Sequence, residues 1–378
     1  MARAGEEDMR GSLPKYSRAA VVREFKAPVC LEEVPVPQQV EPGALVTKVH
    51  ACSICGTDIH LWQGNLSLRV DLPVILGHEM VGEIVAMGEG AGRDSIGQDL
   101  KVGDRITWTH TSCGRCYFCT VLREPTLCQY SRKYMYVCME EFPHLLGGFS
   151  EYGYVVPEAG RVRVPDNVPD ELASMASCAF RSVMNAFDLL GRVDPLDTVV
   201  IQGAGPLGLL ATAVAKVSGA RRVVTIGAPD ARLDIASAFG ADEVISVETT
   251  SPQERLDRVL SLTGGRGADT VMEFAGHPKA FAEGLDLARR GGNYVIVGQL
   301  GQGEVPIKPS AIVAKQLRIL GSFSGQAKAY WKALEFVSLH GSHIPFERMI
   351  SNRYSLDEVD TALTRMKNFE EIKPVIMF

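Results

Sequence analysis

Four cysteines stand at Cys113-x2-Cys116-x2-Cys119-x8-Cys128. Thiolates in one short lobe can surround a tetrahedral Zn²⁺, and four of them leave no position for a substrate. The spacing therefore points to a structural metal site, with Gly114 and Pro125 permitting the turns. An iron–sulfur cluster uses the same ligand type, but no other part of the chain suggests electron transfer. A second group is scattered: Cys55, His60, His78, Glu79 and Cys178. A catalytic zinc takes three protein ligands and keeps a fourth position open, and this group has the types for it. Cys52 and Cys55 also form a C-x-x-C, readable as a redox pair, half a zinc site or neither. If GHE at 77–79 is extended, His78 and Glu79 point to opposite faces.

A third motif is Gly203-Ala-Gly205-Pro206-Leu207-Gly208. It follows the apolar run TVVIQ and opens an apolar helical segment, the context a dinucleotide fingerprint demands. The first glycine makes the turn, the second lets backbone approach a pyrophosphate, and the third packs helix on strand. Anions suit the unpaired N–H groups of such a helix start. The next strand, RRVVTIG, ends at Gly227, followed by Ala228 and Pro229. Neither an acid for the ribose hydroxyl of NAD nor an arginine for the phosphate of NADP stands there, so both cofactors remain open. Arg232, at the start of the next helix, either contacts the ribose or a phosphate or is a solvated first-turn charge.

These residues need elements to hold them. Residues 18–50 read as short strands separated by Pro and Gly, continued by GHEMVGEIVAMG and DRITWTH: a β-rich domain. From Thr198 the pattern becomes strand, turn, helix, repeated, which argues for a doubly wound parallel sheet and an α/β fold class. The 378 residues suffice for two domains. A net charge of −6 argues against nucleic acid as a partner. Apolar runs such as LGLLATAVA fall short of the ~18 residues of a membrane span. Residues 1–15 read as a solvated tail without a secretory apolar region, and a cytoplasmic location is expected. Nine cysteines are not a disulfide framework; in a reducing compartment they bind metal or catalyse.

Taken together, CGTDIH (55–60), GHE (77–79), the four-cysteine lobe, GAGPLG (203–208) and VIVG (295–298) resemble the zinc-containing medium-chain alcohol dehydrogenases. The resemblance runs from about Arg18 to Phe378, in the family's order and approximate spacing. It implies a GroES-like catalytic domain over 16–177 with the zinc lobe at 110–130, a Rossmann domain over 178–324, and a return to the catalytic domain over 325–378. It implies Cys55, His78 and Cys178 as ligands of a catalytic zinc, with Glu79 the neighbouring acid, and Cys113, Cys116, Cys119 and Cys128 as ligands of a structural zinc. Thr57 looks like the hydroxyl that meets the substrate oxygen, His60 like the solvent end of a proton relay, and Asp58 like a carboxylate that orients a metal ligand. Gly203, Gly205, Pro206, Leu207, Gly208, Gly227 and Arg232 lie along the implied NAD or NADP site. Val297 and Gly298 fall where backbone meets nicotinamide, and Lys373 aligns with a basic residue at the pyrophosphate.

The chain departs from the family in three places. Eight residues separate Cys119 from Cys128 where seven is usual. Thr109 replaces a pocket aromatic, leaving room for a branched or cyclic alcohol. The stretch QYSRKYMYVCMEEFPHLLGGFSEY is unlike enzymes of short alcohols. The third ligand is Cys178, in the alcohol-dehydrogenase manner, whereas polyol and threonine dehydrogenases commonly carry Glu-Pro there. The expected function is hydride transfer between a secondary or cyclic alcohol and NAD(P), giving a ketone or aldehyde. Polyol, sugar-alcohol or amino-alcohol oxidation is the alternative within enzymes. A non-catalytic, crystallin-like cofactor binder is the alternative from another class, disfavoured by the retained ligands. The partner is a small alcohol or carbonyl compound, with no nucleic acid or membrane, in a homodimer or homotetramer.

Overall fold

The structure, a computed structural model, describes residues 13–66, 68–299 and 303–378, apart from the side chain of Thr109. The expected tail therefore lies outside the described residues up to position 12. One part of the fold is mainly antiparallel β-structure, with Ile350–Tyr354 and Lys373–Met377 paired in parallel. A seven-stranded sheet runs, in spatial order, through Ile350–Tyr354, Lys373–Met377, Leu45–Ser53, Met80–Met87, Arg105–Thr111 and Ala159–Arg163, with Tyr152–Val155 also paired to Leu45–Ser53. Tyr16–Val22 carries a smaller sheet with Cys30–Pro35 and Val74–Ile75. The strand Lys373–Met377 pairs Val375 with Ser53 and Ile376 with Cys52, returning the chain to the seven-stranded sheet.

The second half is a six-stranded parallel sheet, ordered Glu243–Ser246, Arg222–Gly227, Thr198–Gln202, Ala268–Glu273, Ala288–Ile296, Arg318–Gly321. All five residues of Thr198–Gln202 are buried, as expected of a strand covered on both faces. Strand order reverses between Thr198–Gln202 and Ala268–Glu273, and ligands of such sheets bind beyond the strand ends at that point. Helices Ala179–Leu190 and Ala327–His340 join the halves: Phe180 meets Phe336 edge-on at 5.4 Å and Phe346 at 6.2 Å. One continuous apolar cluster takes Ala51 and Val81 from the first sheet and Val199 and Ile201 from the second. No helix among the described residues is long and apolar enough to cross a membrane.

Candidate active site and metal centres

Cys55 caps the helix Gly56–Trp62, whose turn brings three groups to one spot. The Thr57 N–H donates to Cys55 Sγ at 3.3 Å. Asp58, fully buried, accepts the Cys55 N–H on Oδ2 at 2.8 Å and the Gly77 N–H on Oδ1 at 3.1 Å. Its Oδ1 also lies 3.5 Å from His78 Nδ1, which leaves His78 Nε2 facing Cys55 Sγ at 3.3 Å. Asp58 thus braces the loop and the imidazole together, the usual outer-shell support of a metal-binding histidine.

His78 and Glu79 do not diverge as an extended GHE would make them. Gly77 has φ +87° and the strand begins only at Met80, so alternation has not started. Ligand atoms of Cys55, His78, Glu79 and Cys178 all lie within 4.8 Å of one another. The group is electrostatically interlocked. Burial opposes the Cys55 thiolate, but the Cys178 thiol and His78 outweigh it and hold Cys55 well below the ordinary thiol range. Contact with Cys55, then burial, pushes Cys178 up. Burial works against the His78 cation, yet Cys55 and Asp58 raise it. Two cysteine sulfurs, an imidazole nitrogen and a carboxylate oxygen converging on one point form a donor set whose composition suits zinc.

Behind the cluster, Glu79 Oε2 accepts the Ser53 hydroxyl at 2.5 Å, and Ser174 Oγ donates to Ser53 Oγ at 3.0 Å. Lys373 Nζ lies 2.5 Å from the same Glu79 oxygen. This corrects the sequence expectation: the Lys373 ammonium is buried against Glu79 rather than presented to a pyrophosphate. Strand Lys373–Met377 runs beside Leu45–Ser53, which sets its first residue under the cluster. Glu79 Oε1 is buried without a hydrogen-bond partner, which fits a carboxylate oxygen set to face a cation.

The second cluster has Cys113, Cys116, Cys119 and Cys128 sulfurs within 4.8 Å of one another. Cys116 Sγ stands 3.5 Å from Cys119 Sγ and 4.0 Å from Cys128 Sγ. Tetrahedral bonds of about 2.3 Å put sulfurs about 3.8 Å apart. The N–H groups of Cys113 and Tyr130 donate to Cys128 Sγ. The extra residue before Cys128 is absorbed by a 3₁₀ turn over Pro125–Leu127.

The glycine loop has the geometry its motif demands. Gly203 has φ +113°, and a Cβ there would meet Ala275 N at 2.9 Å. A Cβ on Gly208 would meet Gly203 O at 1.9 Å, and one on Gly227 would meet Ala204 N at 2.7 Å. At Gly205, by contrast, a Cβ would meet nothing within 4 Å, leaving the approach clear. Helix Pro206–Val217 starts there with no side-chain cap, so its N–H groups are free for phosphates. Val297 and Gly298 donate both backbone N–H groups to Glu273 O. Arg232 is half-buried, and its guanidinium donates to Glu371 O at 2.8 Å and Phe369 O at 3.4 Å, tying its helix to the C-terminal segment. His60 is exposed in the last turn of Gly56–Trp62, and Thr57 is half-buried. The side chain of Thr109 lies outside the described residues.

Sequence reasoning missed an aromatic wall. His110 stacks on His78 at 6.1 Å and meets Tyr136 edge-on at 6.3 Å. Burial, then Arg181, keeps His110 far below the usual imidazole range, and its Nδ1 accepts the Tyr134 N–H at 3.2 Å. Arg181, three residues after Cys178, is buried over the Tyr330 ring at 5.1 Å. The available signal was positional: His110 sits three residues before the first lobe cysteine, on a strand leading to it.

Residues 41–166 match the family model described as the alcohol dehydrogenase GroES-like domain, and 206–338 match that of the zinc-binding dehydrogenases. The chain is 37% identical to 5-exo-hydroxycamphor dehydrogenase of Pseudomonas putida, over 96% of this chain and 99% of that one. It is 32% identical to L-threonine 3-dehydrogenase of Bacillus licheniformis, over 92% and 94%. An alcohol dehydrogenase structure from Thermotoga maritima superposes with TM-score 0.91 at 33% identity, covering 96% and 99%. The fold and its two metal centres define a zinc-dependent, NAD(P)-linked oxidoreductase. The chain belongs to the zinc-containing medium-chain dehydrogenase family, with alcohol dehydrogenase activity.

Proposed function

We propose that the chain oxidises a secondary alcohol on a ring, reversibly, to the ketone. The observation that carries this is the full-length likeness to a dehydrogenase of hydroxycamphor, a ring-borne secondary alcohol. The wall of His110 and Tyr136 beside His78 supports it, since flat apolar faces suit a cyclic skeleton. Cys178 at the third ligand position speaks against the threonine and polyol alternative. When bound, zinc supplies a Lewis acid at the alcohol oxygen and the nicotinamide supplies the hydride acceptor.

The chain's own residues do the rest. Cys55, His78 and Cys178 hold the catalytic ion, and Asp58 fixes the His78 ring. Thr57, half-buried beside Cys55, takes the hydroxyl proton of the substrate into a hydrogen bond, and exposed His60 passes it to solvent. Gly203, Gly205 and the start of the following helix receive the pyrophosphate, and Val297 and Gly298 the nicotinamide. Residues 16–177 and 325–378 form the catalytic domain and 178–324 the cofactor domain. The working form is a cytoplasmic homodimer or homotetramer. A panel of alcohols assayed with NAD and with NADP tests the substrate reading: cyclic secondary alcohols should exceed ethanol by at least tenfold in kcat/KM. Equal rates on ethanol and cyclohexanol, or a preference for ethanol or threonine, would count against it.

A further inference from the structure

Glu273 ends the strand Ala268–Glu273, level with Gln202 on one side and Ile296 on the other. It thus stands beside the crevice where strand order reverses, yet it is completely buried. Its side chain reaches forward: Oε1 accepts the Gly276 N–H at 2.6 Å. Its backbone reaches sideways: the carbonyl accepts the N–H groups of Val297 at 3.0 Å and Gly298 at 3.2 Å. The segments it joins touch backbone to backbone. A Cβ on Gly276 would meet Gly298 O at 2.9 Å, and one on Gly298 would meet Gly276 N at 2.5 Å and Glu273 Oε1 at 3.0 Å. A Cβ on Gly203 would strike Ala275 N at 2.9 Å. The fingerprint loop, residues 274–276 and residues 297–298 therefore form one ledge in backbone contact, with the Glu273 carboxyl lodged against Gly276 and Gly298. Burial raises the Glu273 carboxyl, against the N–H groups of Gly276 and Gly298 and the Gln299 amide. A carboxyl in a dry site is retained where its hydrogen bonds fix a backbone.

We propose that Glu273 is a positioning residue for the nicotinamide half of the cofactor: through Gly276 it locks the ledge on which the ring lies. This rests on the reading of Val297 and Gly298 as nicotinamide contacts. Glutamine keeps an acceptor at the same reach, whereas aspartate withdraws it by one methylene and alanine removes it. In the zinc-loaded enzyme, Glu273→Ala and Glu273→Asp should weaken NADH binding about tenfold, the worth of one hydrogen bond. ADP-ribose, which lacks the nicotinamide, should bind within twofold of wild type, and Glu273→Gln should restore NADH binding. KM for the oxidised cofactor should rise more than kcat falls. If NADH and ADP-ribose weaken together, or Gln is as impaired as Asp, the inference is overturned. Should Glu273→Ala fail to fold, the Asp and Gln pair still decides. Gly298→Ala separates the two levels, because its methyl group would strike Gly276 N. If it leaves NADH binding intact, the ledge is not the nicotinamide site. If it weakens NADH alone while Glu273→Asp does nothing, the ledge stands and the role of Glu273 falls.

Discussion

Replacing Lys373 by Met keeps most of the side-chain volume and deletes the charge facing Glu79. The side chains are 1% and 0% exposed, with nitrogen and oxygen 2.5 Å apart. For an exposed pair the loss would be about 0–1 kcal/mol. Removing one member of a buried pair strands the other, at about 3–5 kcal/mol. Burial already lifts the Glu79 carboxyl and Lys373 pulls it down; removing the ammonium eases protonation, which limits the loss to that range. Glu79→Gln, stranding Lys373 instead, should lose a similar amount. The double variant leaves no lone charge and should recover at least about 2 kcal/mol of the summed losses. Urea unfolding of the zinc-loaded protein, followed by tryptophan emission, measures all four states. Trp108, buried in the same sheet, reports on this domain. If the double variant loses the full sum of the singles, Lys373 and Glu79 are not one energetic unit. If Lys373→Met loses less than about 1 kcal/mol, the ammonium is not desolvated as the structure has it.

Three further outcomes are expected. Cys55→Ser should lower metal content from two zinc ions to one per chain and abolish turnover, with the circular dichroism spectrum unchanged; full activity would remove Cys55 from the metal centre. Cys116→Ser should release the lobe's ion alone and lower the thermal midpoint, leaving the Cys55 site loaded, and loss of both ions would show that the two clusters are not independent. Asp170 is lowered against burial by His50 and Arg105, whose Nη1 lies 2.7 Å from Oδ1. Its stabilisation is present above the unfolded carboxylate value, about 3.9, and is lost as pH falls through the lower folded one. The midpoint gap between wild type and Asp170→Asn should therefore narrow below about pH 4; a gap that widens there would contradict the assignment.

What was legible in the sequence divides by the range of the forces involved. Gly208 announced itself because the backbone contact that demands it, Gly203 O, lies within the same motif, and a local rule suffices. The four lobe cysteines lie within sixteen positions and carry their geometry in their spacing. The C-x-x-C divides in the fold: Cys52 is buried in its strand, where Cβ atoms on Gly77 or Gly148 would crowd its sulfur, while Cys55 joins the metal cluster. The site residues that escaped were those whose partners lie far along the chain. Lys373 meets Glu79 only because the last strand returns to pair with Leu45–Ser53, and no pattern near KPVIMF records that pairing. Arg232 was placed by helix position alone, yet its partners are carbonyls 137 and 139 residues onward. His110 reads as one polar residue in an alternating strand until His78 and Tyr136 arrive beside it. Resemblance could place Lys373 by alignment but not say which charge it would face. A buried ammonium takes the nearest anion, and here the fold puts Glu79 nearer than any solvent-facing groove.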